Sequence, residues 1–200
     1  MHPAPTYLER DEAILLAHLA RHAFVTLAAA PKGRLLVAHA PVLMRRLDGG
    51  LVLDFHLSRG NALAPFLADG FRAVAVSLAA DTYVSPDWYE AQGAVPTWNY
   101  ASVEAEGPVA VLDNAALVAL LDDLAAQEEG RLAPKPLWTR AKMAPGRFET
   151  MCRAIVGGRL FVERLEGTFK LSQDKTKADR EGVIAALGDH PVARLMRGEG

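Results

Sequence analysis

The sequence predicts a mainly β chain with peripheral helices (α+β), folded as a small antiparallel barrel. Three observations predict this class: short apolar runs with turn-sized connections, a strong hairpin signal at Asp48-Gly49-Gly50, and helical periodicity confined to a few segments. Hairpin-sized connections favour antiparallel strands, because parallel strands need crossovers of a dozen residues or more. We therefore expect one domain over residues 1–200, with C-terminal helices at about 176–197.

The first half of the chain is predicted to be a helix followed by most of the strands. Residues 9–22 carry apolar side chains at helical spacing, with acidic residues in the first turn and basic ones in the last. Residues 61–70 are expected to form a short helix that Gly70 closes. The predicted strands cover residues 23–30, 34–47, 51–57 and 71–78.

The second half is predicted to contain a long strand and further helices. From Trp98 onward, alternate residues point to opposite faces of a strand, and Gly107 marks a bend or bulge within it. A helix over 114–129 has a cap in Asp113 or Asn114. The remaining predicted elements are a helix over 145–157, in which Gly157-Gly158 forms the closing turn, a strand pair over 159–172 and a helix at about 178–187.

Composition excludes several classes of protein. Of the 200 residues, 50% are hydrophobic and 23% are charged, which excludes disorder as the main state. The net charge of -2 gives no general attraction to nucleic-acid phosphates. The single Cys152 excludes a disulfide framework and suits a reducing cytoplasm. Because no apolar run approaches the length of a membrane span and the start lacks a secretory signal pattern, we expect a cytoplasmic chain with no membrane partner.

A polar segment directly after the predicted strand 51–57 is a candidate anion site. Ser58 and Arg59 place a hydroxyl and a guanidinium at the strand end, beside Asn61 and the N-terminus of the predicted short helix. Backbone N–H groups and an arginine together can bind a phosphate. The alternative is a helix cap with a solvated arginine, and the residues leave both open.

Large aromatic residues are concentrated between residues 83 and 100, in a chain that is 7% aromatic. Thr97 and Asn99 interleave hydrogen-bonding groups with Trp98 and Tyr100. Flat apolar walls with a few donors and acceptors suit a planar heteroaromatic ligand. An aromatic core cluster beneath a loop is the alternative.

Two further polar groups are candidates for ligand contacts. His39 lies in a strand that is expected to face the same crevice as His56, and either histidine can serve as a general acid or a hydrogen-bond donor. Lys170, Ser172 and Gln173 lie together at a strand end, where they can contact a phosphate or an amide. A purely structural role is the alternative for each.

The remaining reactive side chains are expected to be structural. His18 and His22 have the spacing of metal ligands on one helix face, but no third ligand follows at useful spacing. We therefore expect an exposed or half-buried helix face there. Cys152 lies in an apolar segment and is expected to be an inert core thiol.

Five segments occur in the order and approximate spacing of a known family: AHAPVLM, FHLSRGNALA, TYVSPDWY, VPTWNYASVEAEGPV and EGTFKLSQDKTKADREGV. On these motifs the chain resembles the PaiB-type FMN-binding negative transcriptional regulators over about residues 1–187. The resemblance implies an antiparallel split β-barrel related to the pyridoxamine-phosphate-oxidase-like flavoproteins. It also implies a single FMN-binding domain over residues 1–200 and a homodimer with flavin at the subunit interface.

The resemblance also nominates residues for the flavin. Ser58, Arg59 and Asn61 match the segment that holds the FMN phosphate. The family often has Ala where this chain has Ser58 and tends to have Pro where it has Ala62. The ring contacts implied are Thr97, Trp98, Asn99 and Tyr100, with His39 and His56 as second-rank contacts and Lys170, Ser172 and Gln173 reaching the partner subunit's flavin.

The function implied is negative transcriptional regulation, with flavin as a redox or ligand sensor. The sequence supports a DNA contact weakly, because the basic residues are scattered apart from Arg45-Arg46 and the stretch 170–180. Three alternatives stay open: an NAD(P)H-dependent flavin reductase or oxidase on the same barrel, a haem-binding protein with His39 or His56 as axial ligand, and an interaction module that has kept the barrel and lost the cofactor.

Overall fold

The structure is a computed structural model that describes residues 4–199. None of the helices in that range combines the length and the apolar character needed to cross a membrane. The strands are β1 Leu8–Glu9, β2 Phe24–Ala29, β3 Leu36–Leu47, β4 Gly50–Ser58, β5 Phe71–Val84, β6 Thr97–Val111, β7 Ile155–Phe161 and β8 Arg164–Lys170. The α-helices are α1 Glu12–Arg21, α2 Asn114–Gly130, α3 Arg147–Cys152, α4 Lys177–Leu187 and α5 Pro191–Arg197.

The strands form one sheet that closes on itself. Their order is β1-β8-β6-β5-β2-β3-β4-β7, and β7 also pairs with β6. Six strands are therefore hydrogen-bonded in a ring, and the pairings β2–β3, β2–β5, β3–β4, β4–β7 and β6–β7 are antiparallel. The expected fold, mainly β with peripheral helices and an antiparallel split barrel, is confirmed.

The β3–β4 hairpin follows directly from its turn sequence. Asp48 and Gly49 both have positive φ values, 49° and 81°. A two-residue turn with two positive φ values matches the twist of the flanking strands, and Asp-Gly is a favoured pair for it. Leu47 then pairs with Gly50, which fixes the register of both strands.

The chain divides into two compact units, and one consists of Ala23–Val76 and Ala105–Arg164. In β2, Val25 and Leu27 are buried while Phe24 is exposed, the alternation of a strand with one covered face. In β4, both faces are buried over Val52–Phe55, because α2 covers the outer face. The cluster beneath α2 consists of Leu43, Leu117, Leu120 and Leu124.

The other unit consists of the described parts of Met1–His22, Ser77–Glu104 and Leu165–Gly200. Its core includes a cluster of Val84, Tyr89, Val183, Val192 and Met196. These residues join α4 and α5 to the segment that follows β5. The helix α4 begins at a Thr176 cap, whose side chain accepts a hydrogen bond from the Asp179 N–H.

Two predicted helices are wrong in length. Residues 61–70 contain only a three-residue 3-10 turn, Ala64–Phe66, because Pro65 lacks an N–H donor and the Asn61 side chain already accepts from Leu63 N–H at 2.9 Å. The helix predicted over 145–157 is shortened to α3, and β7 begins at Ile155.

Gly157 and Gly158 lie inside β7, which corrects the predicted turn at that point. A Cβ on Gly158 would lie 2.4 Å from Phe55 Cζ, and one on Gly157 would lie 3.0 Å from Leu112 Cβ. Glycine is therefore required by close packing on the two sides of the strand.

Two side chains differ from their predicted surroundings. His18 is buried, at 8% exposure, and its Nε2 lies 3.1 Å from the Ser77 carbonyl oxygen, where the sequence predicted an exposed or half-buried position. Burial lowers the pKa of His18 to about 4. Cys152 is half-buried rather than a core thiol, since it ends the short helix α3 and lines cavities.

Candidate functional site

The turn after β4 presents Arg59 and uses its neighbours to hold its shape. Ser58 Oγ accepts from Gly60 N–H at 3.2 Å, and Asn61 Oδ1 accepts from Leu63 N–H at 2.9 Å. The exposed Arg59 donates from Nε to the Arg153 carbonyl at 2.9 Å. That contact fixes the stem of the guanidinium while its terminal amino groups make no hydrogen bond to a described residue.

Arg59 lines a cavity of about 710 Å³ that carries an excess of positive charge. Arg140 and Arg153 line the same cavity, and Glu149 is its one acidic residue within the described chain. Among residues 4–199, neither Arg59 nor Arg153 pairs with a carboxylate. Arginines without a carboxylate partner suit a phosphate, because the guanidinium offers paired donors to two of its oxygens.

His39 and His56 lie on the same face of the β3–β4 pair, given that Val42 pairs with Phe55 and side chains alternate from there. His39 is exposed, and its Nδ1 lies 3.1 Å from Thr26 Oγ1. His56 is half-buried, lines a different cavity beneath α2, and has its pKa lowered by burial. The two histidines therefore lie on one face, as expected, but His56 lines the cavity beneath α2 and His39 does not.

The aromatic residues of the other unit divide into a buried and an exposed set. Tyr89 is buried at 9% exposure in the cluster with α4 and α5. Trp98 is 54% exposed and Tyr83 is 45% exposed, and their rings meet edge to face at 6.4 Å between centroids. Tyr100 is half-buried on the same face of β6 as Trp98. This face can accept a planar ligand, whereas Tyr89 serves the core.

Several predicted ligand contacts bind within the chain. The buried Lys170 ammonium donates to Thr97 Oγ1 and, at 2.9 Å, to the Trp98 carbonyl, and burial lowers the pKa of Lys170. Asn99 is fully buried and donates from Nδ2 to Ser172 Oγ at 2.8 Å. These bonds connect β6 to the end of β8 and hold the strand that carries Trp98.

Gln173 is likewise engaged by the backbone around it. Its Oε1 accepts from Leu171 N–H at 2.7 Å, and its Nε2 donates to the Phe169 and Thr6 carbonyls. All of its amide groups are thus used to shape the turn after β8. A role for Gln173 in a ligand contact remains a prediction.

Sequence reasoning missed two residues that position the aromatic loop. Asp179 accepts from Glu90 N–H at 2.8 Å and Ala91 N–H at 3.0 Å, and the bond from Ala91 contributes most to lowering the pKa of Asp179. A Cβ on Gly182 would lie 2.2 Å from the Trp88 carbonyl oxygen, so glycine allows the helix to approach. The motif ADREGV contained both residues, but nothing in it showed which loop they contact.

The closed ring of six strands, with helices outside it, is the arrangement of the split-barrel class of proteins. A family model described as "Putative FMN-binding domain" matches residues 1–164. The chain belongs to this family. The cofactor named in the family's description is FMN, which is the cofactor that the sequence predicts. The resemblance drawn from the sequence motifs is confirmed.

One curated relative and two solved structures are similar to most of this chain. The chain is 26% identical over 177 residues to "Protease synthase and sporulation protein PAI 2" of Bacillus subtilis, covering 88% of this chain and 84% of that one. An FAD and heme binding protein from Mycobacterium smegmatis matches in structure with a TM-score of 0.58 at 21% identity, covering 91% of this chain and 80% of that one. The conserved protein Rv2991 from Mycobacterium tuberculosis matches with a TM-score of 0.58 at 16% identity, covering 88% and 94%. The two structural matches support the fold.

Proposed function

We propose that this chain binds FMN, with the Arg59 guanidinium as its main phosphate contact. The observation that carries the proposal is an arginine without a carboxylate partner, in a positively charged cavity, at the position that the family motif assigns to the phosphate. Ser58 and Asn61 hold the turn that presents Arg59. When bound, flavin supplies the redox chemistry, and the protein residues bind and orient it.

We also propose Trp98 and Tyr100, which lie in the other compact unit, as candidate contacts for a flavin ring. Both present aromatic surface on one face of β6. Thr97, Asn99, Lys170 and Ser172 act as positioning residues, because their hydrogen bonds hold that strand. His39 remains a proposed second-rank contact and Gln173 a proposed contact to a flavin of the partner subunit, whereas His56 lines the separate cavity beneath α2.

Titration with FMN and with riboflavin, which lacks the phosphate, tests the role of Arg59. Arg59→Ala is expected to weaken FMN binding by about 10- to 150-fold, the loss of a charge-assisted hydrogen bond of about 1.5–3 kcal/mol. Riboflavin binding should change little. The matched control is Arg34→Ala, an exposed arginine that does not line the cavity. Equal losses for FMN and riboflavin would remove Arg59 from the phosphate site.

We further propose that the chain is a homodimer that pairs through the outer face of β2, β3 and β5. Phe24 is 69% exposed and Val37 is 60% exposed on this face, where Thr26 pairs with both His39 and Val76. Exposed apolar surface of this kind is typical of an interface. Light scattering is expected to show a dimer for the wild type and a monomer for Val37→Asp. Leu132→Asp, an exposed leucine outside these strands, is the control.

The regulatory role is proposed to depend on flavin occupancy rather than on a basic DNA-binding face. In the basic stretch 170–180, Lys175 pairs with Asp174 at 3.1 Å and Lys177 pairs with Glu181 at 3.7 Å, while Arg180 keeps its charge and donates to the Met196 carbonyl. Two of the four basic side chains of this stretch therefore have carboxylate partners, which leaves only a small basic cluster for phosphates. Fluorescence anisotropy with duplex DNA at low salt should show weak binding without sequence preference. Tight, sequence-dependent binding of DNA would contradict the proposal that regulation does not depend on a basic DNA-binding face.

A further inference from the structure

A second cavity, separate from the one that Arg59 lines, lies in the unit that contains α2. It has a volume of about 570 Å³ and lies among α2, residues 137–152 and the start of β7. This volume falls within the range of small-molecule sites, about 300–1,000 Å³. Most of its wall is apolar, including Leu121, Trp138, Met143, Phe148, Met151 and Ile155.

The charges around this cavity cancel. Asp122 and Arg140 are its charged residues within the described chain, and they pair with each other at 3.4 Å. The Arg140 guanidinium also lies over the Phe148 ring, 4.9 Å from its centroid. An apolar cavity with no net charge favours an uncharged ligand, because a charged one would lose its hydration without a partner.

His56 adds one polar group to this apolar wall. Its Nδ1 is buried without a hydrogen-bond partner, and the imidazole makes no hydrogen bond to any residue in the range 4–199. Because Nδ1 has almost no accessible surface, a ligand in the cavity would bond the imidazole through Nε2, which has no hydrogen-bond partner among residues 4–199. A neutral imidazole has one donor and one acceptor nitrogen, and a hydroxyl group can match either.

We propose that this cavity binds an uncharged aromatic molecule that carries a hydroxyl group, with the ring among the apolar residues and the hydroxyl bonded to His56. The site is distinct from the proposed phosphate site, because Arg59 lines the adjoining cavity and not this one. The two cavities share Arg140, Phe148 and Cys152 in their walls.

Binding of the uncharged fluorescent probe N-phenyl-1-naphthylamine tests the site. The probe is expected to bind the wild type with one-to-one stoichiometry, and Ala125→Phe, which fills the cavity, should weaken it by at least about tenfold. Ala119→Phe makes the same change at an exposed position of α2 outside the cavity and should leave binding unchanged. Equal binding by both variants would overturn the proposal.

A matched pair of competitors, 2-naphthol and 2-methylnaphthalene, tests the hydrogen bond. His56→Phe keeps an aromatic ring and removes the polar atoms, so it should weaken 2-naphthol about 2- to 10-fold more than 2-methylnaphthalene. Equal changes for the two competitors would exclude His56 as the polar contact.

The flavin proposal and this one can fail independently. Arg59→Ala is expected to lower FMN affinity and leave the naphthylamine probe bound as in the wild type. Retention of the probe in the presence of saturating FMN supports a separate site. Stoichiometric displacement of the probe by FMN would overturn the separate site, because the cavity would then belong to the flavin.

Discussion

Removing the buried carboxylate of Asp54 should destabilise the protein more than removing a carboxylate from an exposed ion pair. Asp54 is 1% exposed and binds Arg159 through both oxygens, at 2.6 Å from Nε and 2.7 Å from the terminal amino group. A second guanidinium, that of Arg45, donates to Asp54 at 3.1 Å. The change Asp54→Ala leaves both arginines without this shared partner.

The size of the loss in unfolding free energy depends on the partners and the solvent contact that Arg45 and Arg159 retain. Removal of one partner from a buried ion pair costs about 3–5 kcal/mol, since the remaining charge stays desolvated. Arg45 still pairs with Asp123 at 2.7 Å, and the Arg159 side chain is 20% exposed and can reach water. We therefore expect the lower end, about 3 kcal/mol. For a chain of this length, that corresponds to a fall in Tm of about 6–12 °C.

Thermal and urea unfolding followed by circular dichroism measure this loss. The matched control is Asp69→Ala, which removes a carboxylate from the exposed pair with Lys32, where the side chains are 62% and 73% exposed. That variant should lie within about 0.5 kcal/mol of the wild type. If Asp54→Ala and Asp69→Ala unfold at the same temperature, burial does not set the strength of this network and the reasoning is wrong.

Two further predictions concern packing and pH. Gly158→Ala should lower the unfolding free energy by about 1–3 kcal/mol, because the new Cβ would lie 2.4 Å from Phe55 Cζ. Gly130→Ala is the control, because its Cβ meets no atom within 4 Å and should not destabilise the protein. The midpoints of urea unfolding compare the two variants. His18 has a folded pKa of about 4, below its ordinary value, so the unfolded chain binds a proton first as the pH falls. Its contribution to stability should therefore be lost between about pH 6.5 and pH 4, amounting to about 2 kcal/mol at pH 5. His18→Gln keeps an N–H donor for the Ser77 carbonyl and should flatten this part of a plot of unfolding free energy against pH; an unchanged slope would show that other groups cause it.

Local chemistry in the sequence was sufficient for several elements. Asp48-Gly49 predicts its turn because both residues accept positive φ, and Asp113 caps α2 by accepting from Ala116 N–H at 2.7 Å. The alternation along β6 predicts that Trp98 and Asn99 point to opposite faces, and in the structure Trp98 is exposed and Asn99 is buried. The turn, the cap and the alternation depend on residues close together in the chain, whereas the burial of Asn99 involves the distant Ser172.

The remaining elements depend on contacts between distant residues. Residues 145–157 have helical spacing, yet β7 begins at Ile155, because its pairing with β4 and β6 overrides local preference. Gly157 and Gly158 indicate a turn in the sequence, and only the packing of Phe55 and Leu112 against β7 explains them.

The candidate site was predictable only where a local sequence motif marks the residue. Arg59 follows a strand in a recognisable motif, whereas Arg140 and Arg153 come from a segment without one and reach the cavity through folding. Asn99 and Lys170 carry polar groups of the kind a ligand needs, and the sequence cannot show that Ser172 and Thr97 already use them.

The most direct test of the central claim is an absorbance spectrum of freshly purified protein followed by titration with FMN. Binding of FMN to the folded wild-type chain, with quenching or enhancement of flavin fluorescence that saturates at one FMN per chain, is the predicted result. A folded chain that takes up no FMN would contradict the account, and Trp98 and Tyr100 would then be surface aromatics without a flavin to contact.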